Sequence, residues 1–108
     1  MILPVSKIWI DYFNGDETPK TQLLHELLSN EVIATGDIIL IEVLRGFRQE
    51  RDFKQAQKLL LGLPFREMLG QEITIQSTKN YRLLRQQGVT VRNTTDLIIG
   101  TFCIVHKI

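Results

Sequence analysis

MILPVSKIWIDYFNG (1–15) is the stretch on which the fold turns. Met1 to Val5 reads as a buried strand, Ser6-Lys7 as a sharp turn, and Trp9, Ile10 and Phe13 then recur at helical spacing. A strand feeding directly into a helix opens an α/β unit. In open sheets of that kind, chemistry gathers where the strand ends and its helix begins. Here the junction holds Pro4, Val5, Ser6 and Lys7, with no carboxylate, no glycine-rich loop and no nucleophile beyond a serine.

Outward from this stretch, the punctuation marks alternating short apolar runs and helices. Asn14-Gly15-Asp16 closes the first helix. Thr18-Pro19 opens a second, with threonine as N-cap and proline at the first helical position. Leu23, Leu24, Leu27 and Leu28 give that helix its apolar stripe, and it stops near Asn30. Val32 to Thr35 reads as a short buried strand closed by Gly36. Asp37 is placed to cap a helix over 38–45, with Ile39, Leu40, Val43 and Leu44 inward. Another helix is expected over 50–60, then a Gly62-Leu63-Pro64 break and an extended piece from Phe65 to Met68. The spacing predicts a helix over 73–87 ending at Gly88, a very short extended segment at Val89 to Val91, and a last helix from about Thr95. Strands alternating with helices argue for a parallel sheet covered on both faces.

The bulk numbers exclude more than they assign. A chain of 108 residues, 44% hydrophobic and 23% charged, suits a single globular domain over 1–108. A net charge of +1 gives no global field towards nucleic acid or membrane, so phosphate binding has to come from local geometry or a metal. No segment reaches the roughly 18 apolar residues of a membrane span, and no signal peptide is visible, so a cytoplasmic protein is expected. The single cysteine, Cys103, lies in an apolar run and reads as a small buried hydrophobe. His25 and His106 read as surface or packing residues.

Two acids stand out by context. Glu42 sits in IILIEVLRGF, apolar on both sides, where a carboxylate beside the core is costly unless something positive meets it. A solvent-facing glutamate with Arg45 as its i+3 partner accounts equally well for the spacing. Asp96 precedes Leu97-Ile98-Ile99, and taken alone it is a helix-start carboxylate favoured by the macrodipole.

Three pieces taken in order carry a resemblance: Trp9-Ile10-Asp11-Tyr12-Phe13, then Glu42-Val43-Leu44-Arg45-Gly46, then Gly88-Val89-Thr90-Val91-Arg92 with Asp96 following. In this order and spacing, over essentially the whole chain, the sequence resembles the PIN-domain family, and within it the compact VapC-type toxins of bacterial toxin–antitoxin pairs. The resemblance implies a three-layer α/β/α fold with a short parallel central sheet. It also implies an endoribonuclease that uses Mg²⁺ or Mn²⁺, is neutralised by a cognate antitoxin, and forms a homodimer. It places Glu42 and Asp96 as catalytic and metal-binding carboxylates; Arg45 and Arg92, if they share a face with these acids, and Ser6 are expected to contact RNA. Arg48, Arg51 and Arg85 are further basic residues, the first two read as solvated helix surface. Trp9, Tyr12, Phe13 and Leu27, with Leu23 and Leu28, are expected to line a hydrophobic groove for the antitoxin.

The sequence also departs from the family pattern. The first strand of the family ends in an aspartate, and Val5 stands at that position; Lys7 stands where a small capping hydroxyl is usual. A further acidic strand would follow Ile108, so the domain reads as C-terminally truncated. The expectation is an impaired ribonuclease, with two alternatives: a catalytically inactive module that still pairs with an antitoxin or a sibling toxin, and a degraded gene product. Lys7 is also expected to form an ion pair with Glu42 or Asp96 in place of the metal, and Asp11 and Asp16 are nearby acids to weigh as substitutes.

Overall fold

The computed structural model describes residues 1–108, and the chain divides into two compact units, 1–66 and 67–108. In the first unit the sheet is minimal. β1 (Thr35–Gly36) pairs in parallel with β2 (Phe65–Arg66), Thr35 opposite Phe65 and Gly36 opposite Arg66. On the other side of the same segment Ile2 forms a parallel bridge with Ile33, closed by Ile2 N–H to Val32 O (2.9 Å) and Ala34 N–H to Ile2 O (2.8 Å). Residues 33–36 are therefore the middle of three parallel segments, and Ile33, Ala34 and Thr35 are buried as a central segment should be.

The strand expected from Met1 to Val5 contracts to that one bridge. Pro4 has no N–H to donate, so the ladder cannot continue through it, and Val5 emerges at the surface, 46% exposed. Likewise the extended piece at 65–68 pairs only through Phe65–Arg66.

Four helices complete this unit. α1 (Ser6–Phe13) packs against α2 (Pro19–Asn30) and α3 (Asp37–Leu44), and α3 against α4 (Glu50–Leu61). α1 ends as Asn14-Gly15-Asp16 foretells. Gly15 takes φ +78° and Asp16 N–H reaches back to Asp11 O (3.0 Å), a turn that glycine enters without strain. α2 begins on a capping box, Thr18 and Thr21 each bonding the other's backbone N–H (3.1 and 2.9 Å). Gly36, not Asp37, is the N-cap of α3. Asp37 is already the first helical residue, and its Oδ1 accepts from Ile38 N–H (2.8 Å). Trp9 and Ile39 are completely buried, as is Leu60, with Val43 nearly so.

The second unit is two packed helices, α5 (Gln71–Gln86) and α6 (Thr94–His106). α5 stops at Gly88, φ +81°, where Val89 N–H bonds Leu84 O (2.8 Å) and Gly88 N–H bonds Arg85 O (3.0 Å). No strand forms over Val89–Val91; the segment is irregular backbone between the two helices. Asn93 caps α6, its Oδ1 accepting from Thr95 N–H (3.0 Å) and Asp96 N–H (3.3 Å). No helix is long and apolar enough to cross a membrane.

Candidate functional site

The first helix and the third meet through one polar contact. Ser6 opens α1 directly after the exposed Val5, which is the N-cap and provides no side-chain cap. Glu42 lies on α3, one residue before the buried Val43 and one after the exposed Ile41. The Ser6 hydroxyl donates to Glu42 Oε1 at 2.5 Å, across 36 residues of sequence, and Ser6 itself is buried. A carboxylate beside an apolar helix face needs a donor, and a charged acceptor gains more from a hydroxyl than a neutral one does. Glu42 is thus half-buried and oriented by a protein hydroxyl.

This contact revises several expectations. Arg45 is the exposed C-cap of α3 and makes no ion pair with Glu42. Lys7 does not turn to Glu42 either. Its side chain is 82% exposed and pairs with Asp11 at 3.4 Å, the ordinary i,i+4 bridge of a solvated helix face. Asp11 is engaged there, well along α1. Ser6, expected to touch RNA, spends its hydroxyl inside the protein.

Asp96 belongs to the second unit. It sits exposed in the first turn of α6 and borders a groove of about 420 Å³ between α5 and α6, walled by Leu83, Leu97 and Ile104. Gln76 and Asn80 bridge the polar side of the groove, Asn80 donating to Thr101 Oγ1 at 3.1 Å. Arg92 is exposed on the segment leading into α6.

The aromatic residues of α1 divide by burial. Trp9 is completely buried, a core residue, stacked with Phe13 at 5.9 Å between ring centroids; it is not available to a groove. Tyr12, Phe13 and Leu27 are half-buried. Tyr12 Oη and His25 Nδ1 share a hydrogen bond of 2.9 Å, and Phe13 meets Phe47 edge-on. Cys103 is half-buried, and burial pushes its thiol above the usual range.

A divalent ion at such an edge requires several oxygens from converging carboxylates. The residues present do not fit that requirement. Val5 offers no oxygen, one oxygen of Glu42 is already met by Ser6, and no group of three or more Asp, Glu, His or Cys gathers in the chain.

Comparison with known proteins adds what the geometry alone lacks. The chain is 29% identical over 109 aligned residues to the VapC ribonuclease Mb1587 of Mycobacterium bovis, covering 98% of this chain and 81% of that protein. Ribonuclease VapC11 of Mycobacterium tuberculosis matches equally, 29% over the same span. The chain is thus similar to VapC ribonucleases along nearly its whole length. Its fold agrees: the crystal structure of VapBC2 from Rickettsia felis, bound to a DNA fragment from their promoter, superimposes with a TM-score of 0.77. That likeness holds at 21% identity and covers 99% of this chain and 83% of the other. No family model matches. The chain therefore has a PIN-like α/β fold, helix-rich around a short parallel sheet.

What the sequence could not signal is the Ser6–Glu42 bond. Neither residue type is distinctive, and only the packing of α1 on α3 brings them together.

Proposed function

We propose that the chain is the toxin-type member of a toxin–antitoxin pair, a ribonuclease scaffold whose own RNA cleavage is weakened. The observation that carries this is the similarity to VapC ribonucleases along 98% of the chain. Neutralisation by a cognate antitoxin belongs to the same reading. A homodimer and a cytoplasmic setting complete it.

In this reading Glu42 and Asp96 are the acidic groups that act on RNA. An oriented carboxylate can accept the proton of an attacking hydroxyl or water, and the Ser6 hydroxyl fixes the orientation of Glu42. Arg45 and Arg92, both exposed, hold phosphate oxygens. Tyr12, Phe13 and Leu27, the half-buried apolar groups of α1 and α2, contribute to the antitoxin surface. The residues present do not fit the Mg²⁺ or Mn²⁺ that the resemblance implies, which is why the cleavage is proposed to be weakened.

A second reading, a binding module that captures antitoxin without cutting RNA, is favoured by the valine at position 5. One experiment separates the two. The purified chain is incubated with RNA and Mn²⁺ beside Glu42→Gln, Asp96→Asn and a chelator control. Slow cleavage that falls about tenfold or more in each variant supports the ribonuclease. Cleavage that never exceeds the controls contradicts it and leaves the binding module.

A further inference from the structure

Ser77 sits in the middle of α5 with its hydroxyl buried and bonded to nothing. A hydroxyl inside a helix ordinarily donates to the carbonyl one turn back. Its neighbours do so: Thr74 Oγ1 donates to Gly70 O (2.5 Å) and Thr78 Oγ1 to Thr74 O (2.9 Å). Ser77 is 5% exposed, so bulk water does not satisfy it either. A buried polar group without a partner is costly, and in a folded protein it calls for a reason.

Ser77 lines a pocket of about 380 Å³ between α5 and the first turns of α6, wholly within the second unit. Leu69, Leu97 and Ile98 make its walls apolar, and none of the residues around it carries a charge. Small-molecule sites begin at about this size, and they are mostly apolar with a few polar groups that fix orientation. Thr74 and Thr78 have given their protons to the helix, whereas the buried Ser77 hydroxyl is free both to donate and to accept. We propose that this pocket binds a neutral small molecule, an aromatic ring bearing a hydroxyl, with Ser77 Oγ as its hydrogen-bonding anchor. Such a ring buries apolar area against the leucines and Ile98 with no rotatable bonds to freeze, and its hydroxyl completes Ser77. A charged ligand would lose its hydration with no counter-ion in the pocket to replace it. Occupancy of this pocket is independent of whether the chain cleaves RNA.

The test is NMR titration of the isotope-labelled full chain, wild type and Ser77→Ala, with three probes. Phenol carries the ring and the hydroxyl, toluene has the same shape with a methyl in place of the hydroxyl, and benzoate adds a charge. Phenol is expected to shift the amide resonances of α5 and α6 around Ser77 and Leu97. It should bind the wild type about fivefold or more tightly than toluene, the gain of one hydrogen bond to a group otherwise unsatisfied. In Ser77→Ala the two should bind equally. Benzoate should bind the wild type about tenfold or more weakly than phenol. Phenol and toluene binding the wild type equally, phenol losing nothing in Ser77→Ala, or benzoate binding as well as phenol each overturns the proposal. Shifts that are absent, or confined to other elements, overturn it as well and leave the pocket to water. Melting curves check the premise without any ligand. Ser77→Ala removes a buried hydroxyl that has no partner, and it is expected to melt at a higher temperature than the wild type. A lower melting temperature means that the fold itself satisfies the hydroxyl, and contradicts the proposal.

Discussion

Val5 is a residue whose side chain makes no capping bond. It is 46% exposed, sits in extended backbone at an N-cap, and leaves the first turn of α1 without a side-chain acceptor. Replacing it by asparagine supplies that acceptor and gives up only the covered part of the valine. Val5→Asn should therefore raise stability by about 0.5–2 kcal/mol, read as a shift of the urea midpoint; no shift would mean that the turn cannot accept a cap. Ser6 makes the opposite case. Ser6→Ala leaves a half-buried carboxylate without its donor, and should cost about 1–2 kcal/mol in the same assay. At Cys103 burial raises the thiol, so the folded chain keeps its proton to higher pH than the unfolded one. The stability this contributes is complete below the unfolded thiol's range and is lost as pH rises through the folded one's. Alkylation of the native chain should lag that of the urea-unfolded chain at every pH up to that range, and equal rates would contradict the burial.

Helix ends were legible in the sequence because their causes are local. Thr18-Pro19, Asn14-Gly15-Asp16 and Gly88 each act within a few residues, and each forms the cap or stop its residues foretell. Thr18→Ala, which breaks the capping box on α2, should cost about 1 kcal/mol, again read from the urea midpoint. Strands were less legible. An apolar run such as Met1 to Val5 says that a segment can be buried, whereas pairing depends on a partner elsewhere and on every residue having an N–H to give. Pro4 has none, so the ladder stops at Ile2. Val89–Val91 carries the right residues but leaves the Gly88 turn as irregular backbone. At the candidate site, Glu42 and Asp96 could be singled out from their contexts, and the resemblance gave them roles. The donor that meets Glu42 could not be read, since Ser6 lies 36 residues away and only α1 packing on α3 joins them.

Across the whole molecule, the likeness to VapC ribonucleases covers nearly the entire chain, while the chemistry at the sheet edge is reduced to a single oriented carboxylate in the first unit. The second unit contributes Asp96 and Arg92, both exposed. The proposed account is a ribonuclease scaffold in which the valine at position 5 limits activity. The direct measurement is the initial rate of RNA cleavage in Mn²⁺ by the wild type, Val5→Asp and Val5→Asp/Glu42→Gln. The account predicts that Val5→Asp cleaves about tenfold or more faster than the wild type and that the double variant loses the gain. A Val5→Asp chain that folds, binds Mn²⁺ and cleaves no faster than the wild type would contradict it.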